Sequence, residues 1–188
     1  MLGAIDSEAW NRRYAGQELV WTSAPNRFLV EETATLPPGQ ALDVACGEGR
    51  NAVWLASARG VHARWVIADL LQYTPEPRRF DLVLVFYLQV PADQRRAIVR
   101  TVAEAVAPGG MFLLVTHDSS NLEHGHGGPQ DPAVLYTASD VVADLDGSGL
   151  QIERAETVRR PVDTPDGKRV ALDALVRGRR ASGRGSSA

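Results

Sequence analysis

The stretch Asp43-Val44-Ala45-Cys46-Gly47-Glu48-Gly49 places a carboxylate, a thiol and two glycines side by side. Gly47 and Gly49 let a ligand approach the backbone closely, and Asp43 is suited to accept hydrogen bonds from an ammonium group. The third glycine of a nicotinamide-dinucleotide turn is missing, since Asn51 and Ala52 follow. A plain tight turn is the alternative use of the same residues. Further on, His117 and Asp118 follow an apolar run. His117 can take a proton from a hydroxyl or amine, whereas a soft anion needs only alignment and desolvation to react. His117, His124 and His126 lie in a stretch that no single helix or strand orients, so no metal site is expected. Trp10 and Tyr14, at i and i+4, share one helix face, a pattern that serves packing more often than chemistry.

These residues need elements to hold them. Residues 6–14 have helical spacing, and Pro25-Asn26 opens a second helix with Phe28, Leu29 and Thr33 inward. Residues 41–45 read as a short buried strand, and residues 51–57 as a helix stopped by Arg59-Gly60. Strands are expected at 63–68, 80–87 and 111–116, with a helix at 92–107 between the last two. Residues 121–132 form a polar, Gly-rich loop long enough to have a working role. Thr137 and Asp140 are spaced as a variant capping box for a helix at 137–146. Two alternating strands, 150–158 and 169–176, then close a hairpin. Such alternation predicts an α/β fold with a mainly parallel sheet and a C-terminal antiparallel hairpin.

At 188 residues, with 44% apolar and 23% charged residues, the chain is expected to form one core. Its single cysteine, Cys46, excludes an internal disulfide and fits a reducing, cytoplasmic setting, as does an N-terminus without secretory character. A net charge of −3 argues against binding nucleic acid through a basic face, and no apolar run is long enough to span a membrane. Residues 177–188, rich in Arg, Gly and Ser, read as a flexible tail.

The runs LDVACGEGRNAVWLA, VIADL, FDLVLVFYLQVP and APGGMFLLV stand in an order that resembles the class I S-adenosylmethionine (SAM)-dependent methyltransferases. WNRRYAGQELVWTSAPNRFL and GGPQDPAVLYT are similar to the tellurite-resistance and thiopurine methyltransferase branch. The resemblance implies a Rossmann-like three-layer sandwich in one domain over residues 1–176, with residues 1–35 a helical lid segment. It implies SAM as cofactor and a small-molecule acceptor: a thiol, a chalcogen oxyanion, or the hydroxyl or amine of a small aromatic.

By position, the resemblance puts Asp43, Cys46, Gly47 and Gly49 around the cofactor's methionine part, with Ala45 where the first glycine of the motif stands. Asp69 would bond the adenine amino group, with Leu70 in the same cofactor-binding set. Phe86 and Tyr87 would lie near the sulfonium and adenine, where an aromatic face stabilises positive charge; core packing is their other use. Trp10, Arg13, Tyr14 and Trp21 would form the lid, with Trp10 and Arg13 on the cofactor and Tyr14, Trp21 and His117 serving catalysis. One departure is large. The family's second strand, its terminal acid and the helix after it, roughly 25 residues, are missing between Gly60 and Val61, and no Asp or Glu lies between Glu48 and Asp69. A stretch omitted from the sequence is expected rather than a true deletion, which would expose a sheet edge. A protein of this fold that binds cofactor without turnover is the rival reading.

Overall fold

A computed structural model describes residues 15, 23–59 and 63–182. Asn26 caps α1 (Arg27–Thr33) by accepting a 2.9 Å hydrogen bond from the Phe28 amide. There follow β1 (Ala41–Val44), α2 (Arg50–Arg59), β2 (Phe80–Phe86), α3 (Ala92–Ala103), β3 (Val106–His117), α4 (Asn121–His124), a 3-10 turn (Pro132–Val134), α5 (Ala138–Asp144), β4 (Leu150–Thr164) and β5 (Gly167–Arg180). The capping box of Thr137 and Asp140 forms at the start of α5.

The five strands make one sheet in the order β1-β2-β3-β5-β4. Because successive strand residues point to opposite faces, Leu82, Leu84 and Phe86 pack on one side with Phe28 and Leu29 of α1 and with Trp54 and Leu55 of α2. Val83 and Val85 pack on the other with Ile98 and Val99 of α3 and Val141 of α5. The result is an α/β Rossmann-like sandwich of three layers.

Five expectations need correction. The sheet is mixed rather than mainly parallel: β1-β2 and β2-β3 are parallel, while β3-β5 and β5-β4 are antiparallel. The hairpin strands run to 15 and 14 residues, so the antiparallel part outweighs the short β1. No missing element is evident after Gly60: the described strands form one sheet from the chain as it stands. β1 has four residues, only Val44 fully buried, and so tolerates an edge position. Residues 63–68 form no strand; Trp65, Val66 and Ile67 are exposed, and β propensity without a neighbouring strand to pack on does not make a ladder. The expected tail starts too early. Arg177 bonds Glu32 at 2.6 Å and Glu153 at 2.9 Å, and the buried Arg180 guanidinium donates to the carbonyls of Ala103, Val106 and Ser148. These arginines belong to β5 because each finds an acceptor. Helix α3 also stops short of residue 107, since Val106 pairs with Phe80 and opens β3.

Candidate functional site

The chain leaves β1 through a turn in which Ala45, Gly47 and Gly49 have φ of 56°, 56° and 79°. Glycine occupies this left-handed region without strain, and alanine is small enough to be held there. Asp43 stands just before the turn. Both of its carboxylate oxygens are shut off from solvent and, among the described residues, neither makes a hydrogen bond. Burial pushes its pKa up to about 7, against the opposing pull of the Ala52 amide and the Arg50 guanidinium. A buried acceptor with no donor is costly unless something else supplies one. Cys46, half-buried, has its pKa raised by burial and by the Asp43 charge, so it is no activated thiolate. The indole of Trp65 lies against Gly49, where a Cβ would collide with it.

A second group lies at the same carboxyl edge, one strand over. Tyr87, at the end of β2, has φ of 54°, a strained value for a bulky residue. Its hydroxyl donates to Asp173 Oδ2 at 3.1 Å, and burial pushes its pKa up to about 12, so it remains a donor. Asp173, on β5, is fully buried. Burial alone would raise its pKa, but contacts with His117 and Arg160 outweigh this and hold it below the usual carboxylate range. Arg160 of β4 supplies two bonds, Nε to Oδ2 at 2.6 Å and a second nitrogen to Oδ1 at 3.3 Å. His117, the last residue of β3, turns Nδ1 toward Asp173 Oδ1 at 3.4 Å and stacks at a tilt on Tyr87, with ring centroids 4.9 Å apart.

Hydrogen bonds connect the two groups. Asn51, in the first turn of α2, accepts from the Asn26 amide at 2.9 Å, and the Asn26 side chain reaches the Tyr87 hydroxyl at 3.4 Å. The segment expected as a loop at 121–132 begins with α4 and packs beside His117. Asn121 accepts from the Leu172 amide and donates to the Gly127 carbonyl, both at 2.7 Å, and Gly128 packs so near the His117 ring that a Cβ there would come within 2.9 Å of it.

The structure thus brings Asp43, Cys46, Gly47, Gly49, Tyr87 and His117 to one edge of the sheet. Phe86 is buried among apolar residues of the α1 and α2 layer, its packing role. Leu70 is partly buried against the opposite layer. Asp69 is exposed and bonds its own turn, accepting from the Leu71 amide at 3.0 Å and the Gln72 side chain at 3.2 Å. Trp10, Arg13, Tyr14 and Trp21 lie outside the described residues. Sequence reasoning missed Asp173, Arg160, Asn26 as a bridge, and Trp65. Only Asp173 left a signal, a lone acid inside the apolar run Ala171-Leu172-Asp173-Ala174-Leu175-Val176.

No family model and no curated protein matches the sequence. Solved structures do. One, from the conversion of a disulfide bond into a thioacetal group during echinomycin biosynthesis, is similar at 22% identity and a TM-score of 0.66, covering 91% of this chain and 88% of that one. The N-methyltransferase NodS from Bradyrhizobium japonicum, in complex with S-adenosyl-L-homocysteine, is similar at 17% identity and a TM-score of 0.62, covering 92% and 97%. TehB from Haemophilus influenzae is similar at 12% identity and a TM-score of 0.62, covering 92% and 66%. Among the described residues no helix is long and apolar enough to cross a membrane. At these identities the likeness is one of architecture, and the chain has a class I SAM-methyltransferase-like fold.

Proposed function

We propose that the chain binds SAM and transfers its methyl group to a small acceptor. One observation carries this reading: a carboxylate that no well-formed hydrogen bond satisfies among the described residues, Asp43, is held out of solvent beside a turn of left-handed backbone at the carboxyl edge of the sheet. That is where open α/β sheets take their ligands, and Asp43 matches an ammonium group in charge and donor need. Asp43, Gly47 and Gly49 would hold the amino-acid end of the cofactor, with Cys46 beside it. SAM supplies an electrophilic methyl on a sulfonium. The residues of this chain orient the acceptor and exclude water, with Tyr87 and His117 on the acceptor side; Trp10, Arg13, Tyr14 and Trp21 are proposed as the covering segment, and the chain to the end of β5 at Arg180 as one domain. The tellurite-resistance and thiopurine branch rests on the sequence runs alone, since the TM-score of 0.62 with TehB equals that with NodS.

The test is calorimetry of SAM and S-adenosylhomocysteine with the wild-type chain and Asp43→Asn, followed by methyl transfer to thiol, phenol and amine acceptors. Saturable binding lost in Asp43→Asn is expected. A second reading, cofactor binding without turnover, is favoured by the lack of any acid between Glu48 and Asp69. Two ribose hydrogen bonds to charge are worth about 3–6 kcal/mol, so binding is expected about 10²- to 10⁴-fold weaker than with such an acid in place. Binding with no transfer to any acceptor would select that reading.

A further inference from the structure

We propose that His117 is a general base whose imidazole is positioned by Asp173, and that the acceptor is therefore protic, a hydroxyl or an amine, rather than a thiolate or other preformed anion. The inference rests on the methyl-transfer reading above and names the acceptor class of that same site.

The geometry fixes which ring nitrogen does what. Nδ1 is shut off from solvent and makes no hydrogen bond among the described residues; it faces Asp173 Oδ1 at 3.4 Å, an ion-pair distance without hydrogen-bond alignment. A buried nitrogen opposite an ionised carboxylate carries the proton. The lone pair then belongs to Nε2, which has no hydrogen-bond partner among the described residues. The imidazole side chain retains 12% of its exposure, so part of the ring is open to solvent.

Asp173 is bonded in two places by Arg160, which already matches its charge. The imidazole is not required as a counter-ion, and what remains for it is orientation. Every neighbour restricts that orientation: Tyr87 from β2 by ring contact, Arg160 from β4 and Asp173 from β5 through the carboxylate, and Gly128 of the loop against the ring face. The charged group just after β3, Asp118, is turned away to the Ser120 amide and hydroxyl and to Thr157. A cluster that only tied β5 to β2 would be complete with Arg160, Asp173 and Tyr87.

A thiol ionises readily enough near neutral pH to attack without help, whereas a phenol or an ammonium must lose a proton. In the step proposed, the acceptor oxygen or nitrogen bonds to the methyl carbon, and the carbon–sulfur bond breaks with its electron pair going to sulfur. The acceptor's proton passes to His117 Nε2 and from there to solvent.

The first test needs neither cofactor nor turnover. Nitrogen-15 NMR of the histidine-labelled chain, with His117 assigned by its loss in His117→Gln, is expected to show the Nδ1-protonated tautomer, shifting toward the Nε2-protonated form in Asp173→Asn. An Nε2-protonated His117 in the wild type overturns the proposal whatever the chain methylates. The second compares acceptors. In His117→Gln, shown folded by a cooperative melt, transfer to a phenol or an amine should fall by at least about 10²-fold, and transfer to a thiol by less than about tenfold. The pH dependence of kcat/KM with the phenol should lose its acidic limb in the same variant. Equal losses for phenol and thiol, or an unchanged pH profile, overturn the proposal. Absence of SAM binding would instead sink the methyl-transfer reading, and with it the acceptor class, while the tautomer measurement would still report on the Asp173 contact.

Discussion

The Tyr87 hydroxyl and Asp173 Oδ2, 3.1 Å apart, join the end of a parallel strand to the middle of an antiparallel one. Through this bond the β4–β5 hairpin is tied to the carboxyl edge of the parallel strands. Tyr87→Phe removes a hydrogen bond to a charged group but leaves Asp173 its Arg160 partner. A loss of about 1–2 kcal/mol in urea unfolding is expected, with the cooperative transition kept. Since Tyr87 titrates only at about 12, the difference between the two proteins should not vary between pH 6 and pH 9.

Asp43 gives the protein an unusual pH dependence. Its folded pKa of about 7 lies above the unfolded value near 3.9, so the folded state binds the proton more tightly. Stability from this group is fully present below about pH 4 and is lost as pH rises toward about 7, by on the order of a few kcal/mol. Asp173 has the opposite sign: its folded value is depressed, and its contribution disappears as pH falls through that value. Asp43→Asn should therefore be more stable than the wild type at pH 8 and close to it at pH 4, as read by urea unfolding at both. If the ammonium of SAM pairs with Asp43, binding at pH 6 should release a proton, visible as a dependence of the calorimetric heat on buffer ionisation enthalpy.

Gly47 sits at φ 56°, where a branched residue is strained by at least about 1–2 kcal/mol. Gly47→Val is expected to lower the melting temperature while keeping a cooperative melt, and to abolish SAM binding. Affinity unchanged from wild type would remove this turn from the site.

Trp65 rests on Gly49 while half of its own surface stays exposed. A ligand using the turn has to displace the indole, and the fraction of molecules with it displaced sets the apparent affinity. Trp65→Ala should bind S-adenosylhomocysteine several-fold more tightly with little change in stability. Weaker binding would mean that the indole contacts the ligand.

Asp144 provides a contrast away from the crevice. It is buried on α5 with Arg95 at 2.6 Å, also buried, and with Arg96 at 3.2 Å, tying α5 to α3. Asp144→Ala strands the Arg95 charge and should cost about 3–5 kcal/mol in unfolding free energy. SAM affinity per folded molecule should be unaffected.

The sequence by itself determined the elements whose causes are local. Asn26 and the Thr137–Asp140 box start helices through their own side chains, the apolar run of β2 marks a strand buried on both faces, and Gly47 and Gly49 mark a tight turn through backbone freedom. Tertiary structure decided what depends on partners distant along the chain. Residues 63–68 carry strand-like residues yet form no ladder because none is beside them, and Arg177 and Arg180 are strand rather than tail because Glu32 and the carbonyls at the end of α3 await them. The pairing of His117 with Asp173 lies in the same category. Fifty-six positions separate the two residues, and only the antiparallel register of β3 on β5, which sets His117 opposite Asp173, makes them neighbours.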